Sequence, residues 1–298
     1  MGSPLVQPCP AVCAEICAEK AKVEMFQEEH ALAKAAYDDF DSGPVREGGK
    51  PDGRILFEEV TSEKDLKDLG ILPSQLKPTD SDFRARVMKR PGSDEYFVTF
   101  KGTTSWFGQD TVANVGQAIT GDASYYTNAK NIAIGINDKL RLSGGGSVKF
   151  VGHSLGGGLA SAAAHATGAP ATTFNAAGLH DKNLRPEDAL YNIPPIDAVR
   201  VDGEILTSAQ NLLGSAKLIP EAAGTPFRLK PPGGVGGLFD YAKIAAMAPF
   251  VPPGLRVGFA AAALARSGYL HTGDAIDGAL DGKFGEVEDR RLRGGCEC

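Results

Sequence analysis

Apolar and polar positions follow two different rhythms along the chain. Between about Ala11 and Phe40, Ile16, Val23, Phe26, His30 and Tyr37 recur at spacings that share one face of a helix, in a stretch otherwise rich in Ala, Glu, Lys, Met and Gln. The pattern predicts an amphipathic helix that packs on another element. Asp41 to Arg54 reads as a loop of Gly, Pro and charges, and Ser62 with Asp65 offers a capping-box start for a short helix ending near Gly70. The period then shortens. Phe83 to Met88, the turn Pro91-Gly92-Ser93-Asp94, and Tyr96 to Phe100 predict a β-hairpin.

Beyond the hairpin, strand and helix patterns alternate. A helix is expected from near Ala123 to the Ser143-Gly144-Gly145-Gly146 run, a strand over Val148 to Val151, an Ala-rich helix over Leu155 to Thr167 with Gly168 as its C-cap, and strands at Thr172 to Phe174 and Val199 to Val201. This order predicts an α/β fold with a mostly parallel central sheet and helices on both faces. Residues 206 to 270 are less regular and read as a helical lid or cap inserted into that fold. We place an acidic helical N-terminal extension at 1–80 and the α/β domain at 81–298, with no internal repeat.

Composition sharpens this in three places. Phe150 to His180 contains no Asp, Glu, Lys or Arg, long enough for a membrane span, yet it carries six Gly, Pro170 and Asn175, which a spanning helix tolerates badly. It reads as a buried strand, tight turn, helix and strand. Net charge is −6, which removes nucleic acid as a default partner. The acidity is concentrated at the front: residues 1–80 hold nine basic against sixteen acidic side chains, residues 81–298 twenty-two against twenty-one. Met1 to Lys20 lacks a basic n-region and is broken by Pro4, Pro8 and Pro10, so the expectation is synthesis in the cytoplasm without a classical signal peptide. Cys9, Cys13 and Cys17 in front and Cys296 and Cys298 behind leave three readings open: reduced thiols near a frayed terminus, a terminal clasp, or a metal shared by Cys13 and Cys17 on one helical face.

The chemistry centres on Gly152-His153-Ser154-Leu155-Gly156, a G-x-S-x-G between a strand and a helix, which is the context a nucleophile elbow requires. A serine needs a base. His30 lies in the first helix and reads as a partly buried or surface residue, His153 is inside the elbow and points away from its neighbour, His165 lies roughly 16 Å along the helix, and His180 comes too early. His271, late in the chain in a glycine-flanked loop, gives the order Ser, acid, His. For the acid, Asp202 directly follows the strand at Val199 to Val201 and is preferred, with Glu204 and Asp197 as alternatives. The oxyanion donors are expected from Leu155, by its backbone N–H, and from Thr103 in the Phe100-Lys101-Gly102-Thr103 loop.

Phe100-Lys101-Gly102-Thr103, Val151 to Ala160 around the elbow, and Phe174-Asn175-Ala176-Ala177-Gly178 together resemble the signature of class three, fungal-lipase-like α/β-hydrolases over about residues 83–280. Thr172 to His180 is similar to bacterial members that include phospholipase effectors of type VI secretion. The resemblance implies an α/β-hydrolase fold and a lipase or phospholipase A-type serine hydrolase that forms an acyl-enzyme through Ser154, Asp202 and His271, with no cofactor or metal. It also implies a membrane or emulsified-lipid substrate, a secretion carrier and an immunity protein as partners, and export by a dedicated system to target-cell membranes. Lys101 stands where Arg is commoner, and the interval between acid and base is long. That interval, Leu206 to Leu270, has six basic against two acidic residues and apolar runs no longer than 12 residues without charge, which suits contact with an anionic lipid surface or simple cover of the sheet. Ser105-Trp106-Phe107-Gly108 is a second lid candidate. The competing readings are a general carboxylesterase or acyltransferase on non-membrane substrates, and an effector whose front helix is mainly a carrier- or immunity-binding module.

Overall fold

The structure is a computed structural model that describes residues 10–38, 41–103, 123–180, 183–184, 194–204, 206–207, 220–232 and 266–298. Eight strands form one sheet in sequence order: β1 (Val45–Arg46), β2 (Ile55–Glu59), β3 (Ala85–Lys89), β4 (Glu95–Phe100), β5 (Ser147–His153), β6 (Ala171–Phe174), β7 (Ile196–Val201) and β8 (Thr225–Leu229). β1 to β4 pair antiparallel, and β4 to β8 pair parallel. The helices are α1 (Pro10–Ala35), α2 (Glu63–Asp68), α3 (Pro73–Leu76), α4 (Ala123–Ser143), α5 (Leu155–Thr167) and α6 (Gly273–Arg293).

Side chains alternate across each strand, so consecutive apolar residues feed opposite faces. Val87, Val98, Phe100 and Phe150 join a core under α2, α4 and α5, with Leu66, Ile132, Ile136 and Leu159. Their neighbours Met88, Phe97 and Val151, with Phe174, Val199 and Val201, join a second core under α1 and α6, with Phe26, Leu32, Ile276 and Leu280. Runs such as Phe97-Val98 and Phe150-Val151 are apolar at adjacent positions because both faces are covered. The strands advance β4, β5, β6 in one direction, and right-handed crossovers then put α4 and α5 on the same face. This is the α/β arrangement, with helices on both faces of the sheet, that the alternating pattern predicts. The charge-free run from Phe150 to His180 is β5, α5 and β6, nearly all of it buried.

Local signals hold where they rest on a mechanism. The Ser62 hydroxyl accepts from the Asp65 N–H at 3.1 Å, α5 ends at Gly168 in the left-handed region (φ 77°), and the hairpin pairs Val87 with Val98 across the expected turn. β1 (inside the stretch read as a loop), α3 and three further elements lie outside the pattern reading. β2 carries adjacent Glu58 and Glu59, which breaks the apolar alternation, and Glu59 is buried only because the buried Arg86 guanidinium pairs with it at 2.5 Å. β8 lies inside the 206–270 interval assigned to a lid, so part of that interval is sheet; residues 208–219 and 233–265, which carry the rest of the lid reading, lie outside the described residues. The third is α6, a long, polar helix with Thr272 as its side-chain N-cap.

The division at residue 80 is also redrawn. α1 packs along β5 and α6, and β1 and β2 extend the central sheet, so residues 10–80 are part of the same body as the rest. The Thr99 hydroxyl donates to the Leu32 carbonyl (3.1 Å) and Arg86 Nη1 to the Ala35 carbonyl (2.6 Å), which anchors the C-terminal end of α1 on β3 and β4. Two disulfides close the clasp at the other end, Cys13–Cys296 and Cys17–Cys298, with Cα separations of 5.2 and 5.4 Å. Of the three cysteine readings the structure takes the clasp.

The costs of removing the two bridges are not additive. Either one closes a loop of more than 280 residues, but once one exists the other closes only the few residues between neighbouring cysteines. In the chain-entropy picture the first to form is worth about 5 kcal/mol and the second about 2. Replacing either pair alone by Ser, Cys17 and Cys298 for instance, is therefore expected to cost about 2 kcal/mol in denaturant unfolding, and removing both bridges more than twice as much. A double removal that costs only the sum of the two single removals would contradict this account.

Candidate active site

Parallel strands β4 to β7 bring their carboxyl ends to one edge, and the elbow sits there. Ser154 follows β5 with φ 59° and ψ −126°, backbone angles that an L side chain resists. A Cβ on Gly152 would lie 2.1 Å from the Gly156 carbonyl oxygen, and one on Gly156 would lie 2.1 Å from that of Phe100. Both glycines are thus required by the close approach of β5, α5 and β4. The turn is locked by the Ser154 N–H donating to Phe174 O at 3.0 Å, and by Ser154 O accepting from Gly157 and Ala177. Ser154 is fully buried, and its hydroxyl has no hydrogen-bond partner among the described residues. Leu155 opens α5, so its N–H is one of the donors that a helix start leaves unused within the helix.

His271 lies in the short loop between a helical stretch at residues 266–270 and α6. Its ring Nδ1 is 2.7 Å from Oε2 of Glu204, and both side chains are buried. The same carboxylate accepts the Leu206 N–H at 2.8 Å and the Thr207 N–H, so three N–H donors fix its two oxygens. Asp202, the acid preferred from sequence, is not brought to His271: it is half-exposed and pairs with Arg228 at 3.4 Å. The reason is the turn. Glu204 N–H bonds back to Val201 O, and Gly203 takes φ 82°, which reverses the chain so that residue 202 faces out and residue 204 faces in. Asp197, the other alternative, pairs with Lys22.

Two polar side chains tie the His271 loop to the elbow. Asn175, itself at φ 42°, donates through Nδ2 to Leu270 O (3.1 Å) and accepts the Val201 N–H through Oδ1 (2.9 Å). His153, which the sequence reading set aside, has its ring 4.8 Å from that of His271, and its Nε2 lies 2.7 Å from the His271 carbonyl oxygen. A carbonyl only accepts, so Nε2 carries the proton and Nδ1 is bare. Nδ1 accepts from the Tyr37 hydroxyl at 3.0 Å. The Tyr37 oxygen lies against Gly102, where a Cβ would be 2.3 Å from it, and burial raises the Tyr37 pKa above the ordinary phenol value. Burial, helped by the nearby His271, holds the His153 pKa well below the ordinary imidazole value, so this ring is neutral. Thr103, next to Gly102 in the same loop, is partly buried.

His30, read as partly buried or at the surface, is completely buried against Phe174 with Nδ1 on Asp277 at 2.7 Å, and burial lowers its pKa too. A charged groove of about 1020 Å³ between α1, residues 42–54 and α6 contains neither Ser154 nor His271 and does not mark this site. Ser105 to Gly108 lie outside the described residues. Among the described residues no helix is long and apolar enough to cross a membrane.

The family model described as phospholipase-like, Tle-like phospholipase domain, matches residues 28–230. An extracellular phospholipase A1 of Serratia liquefaciens is 34% identical over 192 residues, 60% of this chain and 55% of that protein. The chain thus spans about half the length of the curated relative it matches. Among solved structures, a fungal lipase–inhibitor complex gives a TM-score of 0.45 at 13% identity over 70% of this chain and 80% of that one. A triacylglycerol lipase from Penicillium expansum gives 0.46 at 13% over 71% and 80%.

Two outcomes follow from the local physics. Glycine normally destabilises relative to alanine, but at the Ser154 backbone angles the order should invert: Ser154→Gly is expected to be about 1 kcal/mol more stable than Ser154→Ala in thermal melts. For pH, the His30 and His153 pKa values are lowered in the folded state. The unfolded chain therefore takes up protons first as pH falls below about 6.5. Stability is present above that value and is lost below it, by up to about 1.4 kcal/mol per pH unit for each ring. Urea unfolding between roughly pH 7.5 and 5.5 reads this slope; a flat profile would show that the rings are not held neutral.

Proposed function

We propose that this chain, which belongs to the family of Tle-like phospholipase domains, hydrolyses acyl ester bonds of phospholipids with Ser154 as nucleophile, His271 as base and Glu204 as the acid that orients it. The observation that carries the reading is the buried His271–Glu204 pair on a loop tied to the elbow that strains Ser154. The matched Serratia protein is named as an extracellular phospholipase A1, which supports the choice of a phospholipid acyl ester.

In this reading Glu204 holds the His271 tautomer with the proton on Nδ1, so Nε2 is the basic nitrogen. Ser154 Oγ attacks the ester carbonyl carbon while its proton passes to Nε2, and the carbonyl π pair moves to oxygen. The oxyanion is met by the N–H of Leu155 at the start of α5 and by the N–H of Thr103. Collapse breaks the bond to the lysophospholipid oxygen, which leaves with the proton from Nε2. Water, deprotonated by the same nitrogen, then releases the fatty acid and restores Ser154. Both disulfides favour work in an oxidising compartment, which supports action outside the cytosol after export. Delivery as an effector toward a target-cell membrane belongs to the same proposal. A carrier or immunity protein has to dock on a folded body that includes α1 and is not met by a detached front module.

The test is turnover of phosphatidylcholine and phosphatidylglycerol vesicles with product analysis. Ser154→Ala should abolish fatty-acid release. Glu204→Gln should lower kcat roughly 10³- to 10⁴-fold, whereas Asp202→Asn, which loses only an exposed ion pair, should stay within about twofold. Retained activity in Ser154→Ala would refute the mechanism; a large loss in Asp202→Asn with none in Glu204→Gln would move the acid.

A further inference from the structure

We propose that Tyr37 is a positioning residue for this chemistry, its hydroxyl joining the loop that carries Thr103 to the loop that carries His271 through the imidazole of His153. The proposal rests on the hydrolase reading above.

The connection runs through His153, and its directions are forced. The His271 carbonyl can only accept, and it takes the His153 Nε2 proton at 2.7 Å. Nδ1 of the neutral ring is then an acceptor, and the Tyr37 hydroxyl donates to it at 3.0 Å. The Tyr37 oxygen itself packs against Gly102 of the oxyanion loop. Two hydrogen bonds and one close contact thus join the oxyanion loop, the elbow and the base-bearing loop.

Steric evidence agrees. A Cβ on Gly102 would lie 2.3 Å from the Tyr37 hydroxyl and 2.7 Å from the His153 carbonyl oxygen, so the loop can close onto Tyr37 only as glycine. Tyr37 itself stands two residues past the end of α1, where the Arg86 and Thr99 bonds to the Ala35 and Leu32 carbonyls hold the helix on the sheet. The relay therefore begins from a fixed point. Its effect on catalysis is geometric and electrostatic. A displacement of about 1 Å between donor, nucleophile and base costs up to roughly 10²-fold in rate. A neutral His153 also leaves His271, whose ring is 4.8 Å away, able to become the imidazolium without facing a like charge.

Tyr37→Phe removes one oxygen and keeps the ring. Assayed well below its melting temperature on phosphatidylcholine vesicles and on a short-chain aryl ester, it should lose roughly ten- to a hundredfold in kcat with KM within about twofold. Labelling of Ser154 by a fluorophosphonate should slow by the same factor. His153→Gln keeps an N–H for the His271 carbonyl and should be faster than His153→Leu, and adding Tyr37→Phe to His153→Leu should cost nothing more. A kcat for Tyr37→Phe within about twofold of the parent, or losses that multiply in the double variant, overturns the proposal. Nitrogen-15 NMR of the parent enzyme decides it without any turnover: His153 protonated on Nε2 supports the relay, and His153 protonated on Nδ1 refutes it. If the parent neither hydrolyses ester nor takes the phosphonate, the hydrolase reading fails, while the NMR result still decides the relay.

Discussion

The site depends on holding a loop in place. His271 is 117 residues beyond Ser154, and between the helical stretch at 266–270 and α6 its backbone bonds are local, the His271 N–H to Gly268 O and the Thr272 N–H to Tyr269 O. Three side chains tie it to the sheet. Asn175 holds the Leu270 carbonyl, His153 holds that of His271, and Glu204 holds the ring. All three are buried, where water cannot replace a lost partner and a broken bond costs the full desolvation of the group left behind. They sit at the carboxyl ends of β5, β6 and β7, so the register of the parallel sheet sets the distance between Ser154 and His271. The sheet is in this sense the ruler of the site.

That dependence explains what was legible in the sequence. The elbow was readable because its constraint is local: two glycines, a strand before and a helix after are all that the strained turn needs. His271 was reached through chain order and the exclusion of four other histidines. The carboxylate that meets it was not legible. Strand alternation ends at Val201, and a left-handed glycine then decides which carboxylate turns inward; Asp202 and Glu204 flank Gly203, and adjacency to the strand favours the one that faces out. A usable signal was present, since Glu204 precedes the apolar Ile205-Leu206 and its carboxylate accepts from the N–H groups of residues 206 and 207 in the manner of a helix cap. His153 and Tyr37 were missed for a different reason. Their roles exist only through partners more than a hundred residues away, and no spacing rule carries such information.

The placement of α1 is the other correction with consequences. As an amphipathic helix it was foreseen, with Ile16, Val23, Phe26 and His30 on the buried face. What it packs against was not, because α6 is too polar to announce a buried stripe, and the pairing of the two depends on disulfides and ion pairs as much as on apolar area. Thr272, the N-cap of α6, follows His271 directly, and Tyr37 follows α1 closely. The helix pair therefore reaches the site at both of its inner ends.

The acidic front of the chain follows from the same pairing. Sixteen acidic side chains in residues 1–80 set the front of the chain apart and invite its reading as a carrier- or immunity-binding module. Several of them are spent inside the molecule. Glu19 meets Lys283 and Arg290 on α6, Glu28 meets Arg54 and Arg90, Glu29 meets Lys149 on β5, and Glu59 meets Arg86 on β3. For Glu19 the two cations outweigh burial and lower its pKa, whereas for the nearly inaccessible Glu29 burial dominates and raises it despite Lys149. Exposed pairs of this kind add little stability each, but a buried one specifies its partner strongly, since losing either member strands a charge. A charge bias along the sequence is thus no guide to an external partner until the fold has shown which charges neutralise each other, and here Glu19, Glu28, Glu29 and Glu59 each meet a basic residue that lies later in the same chain.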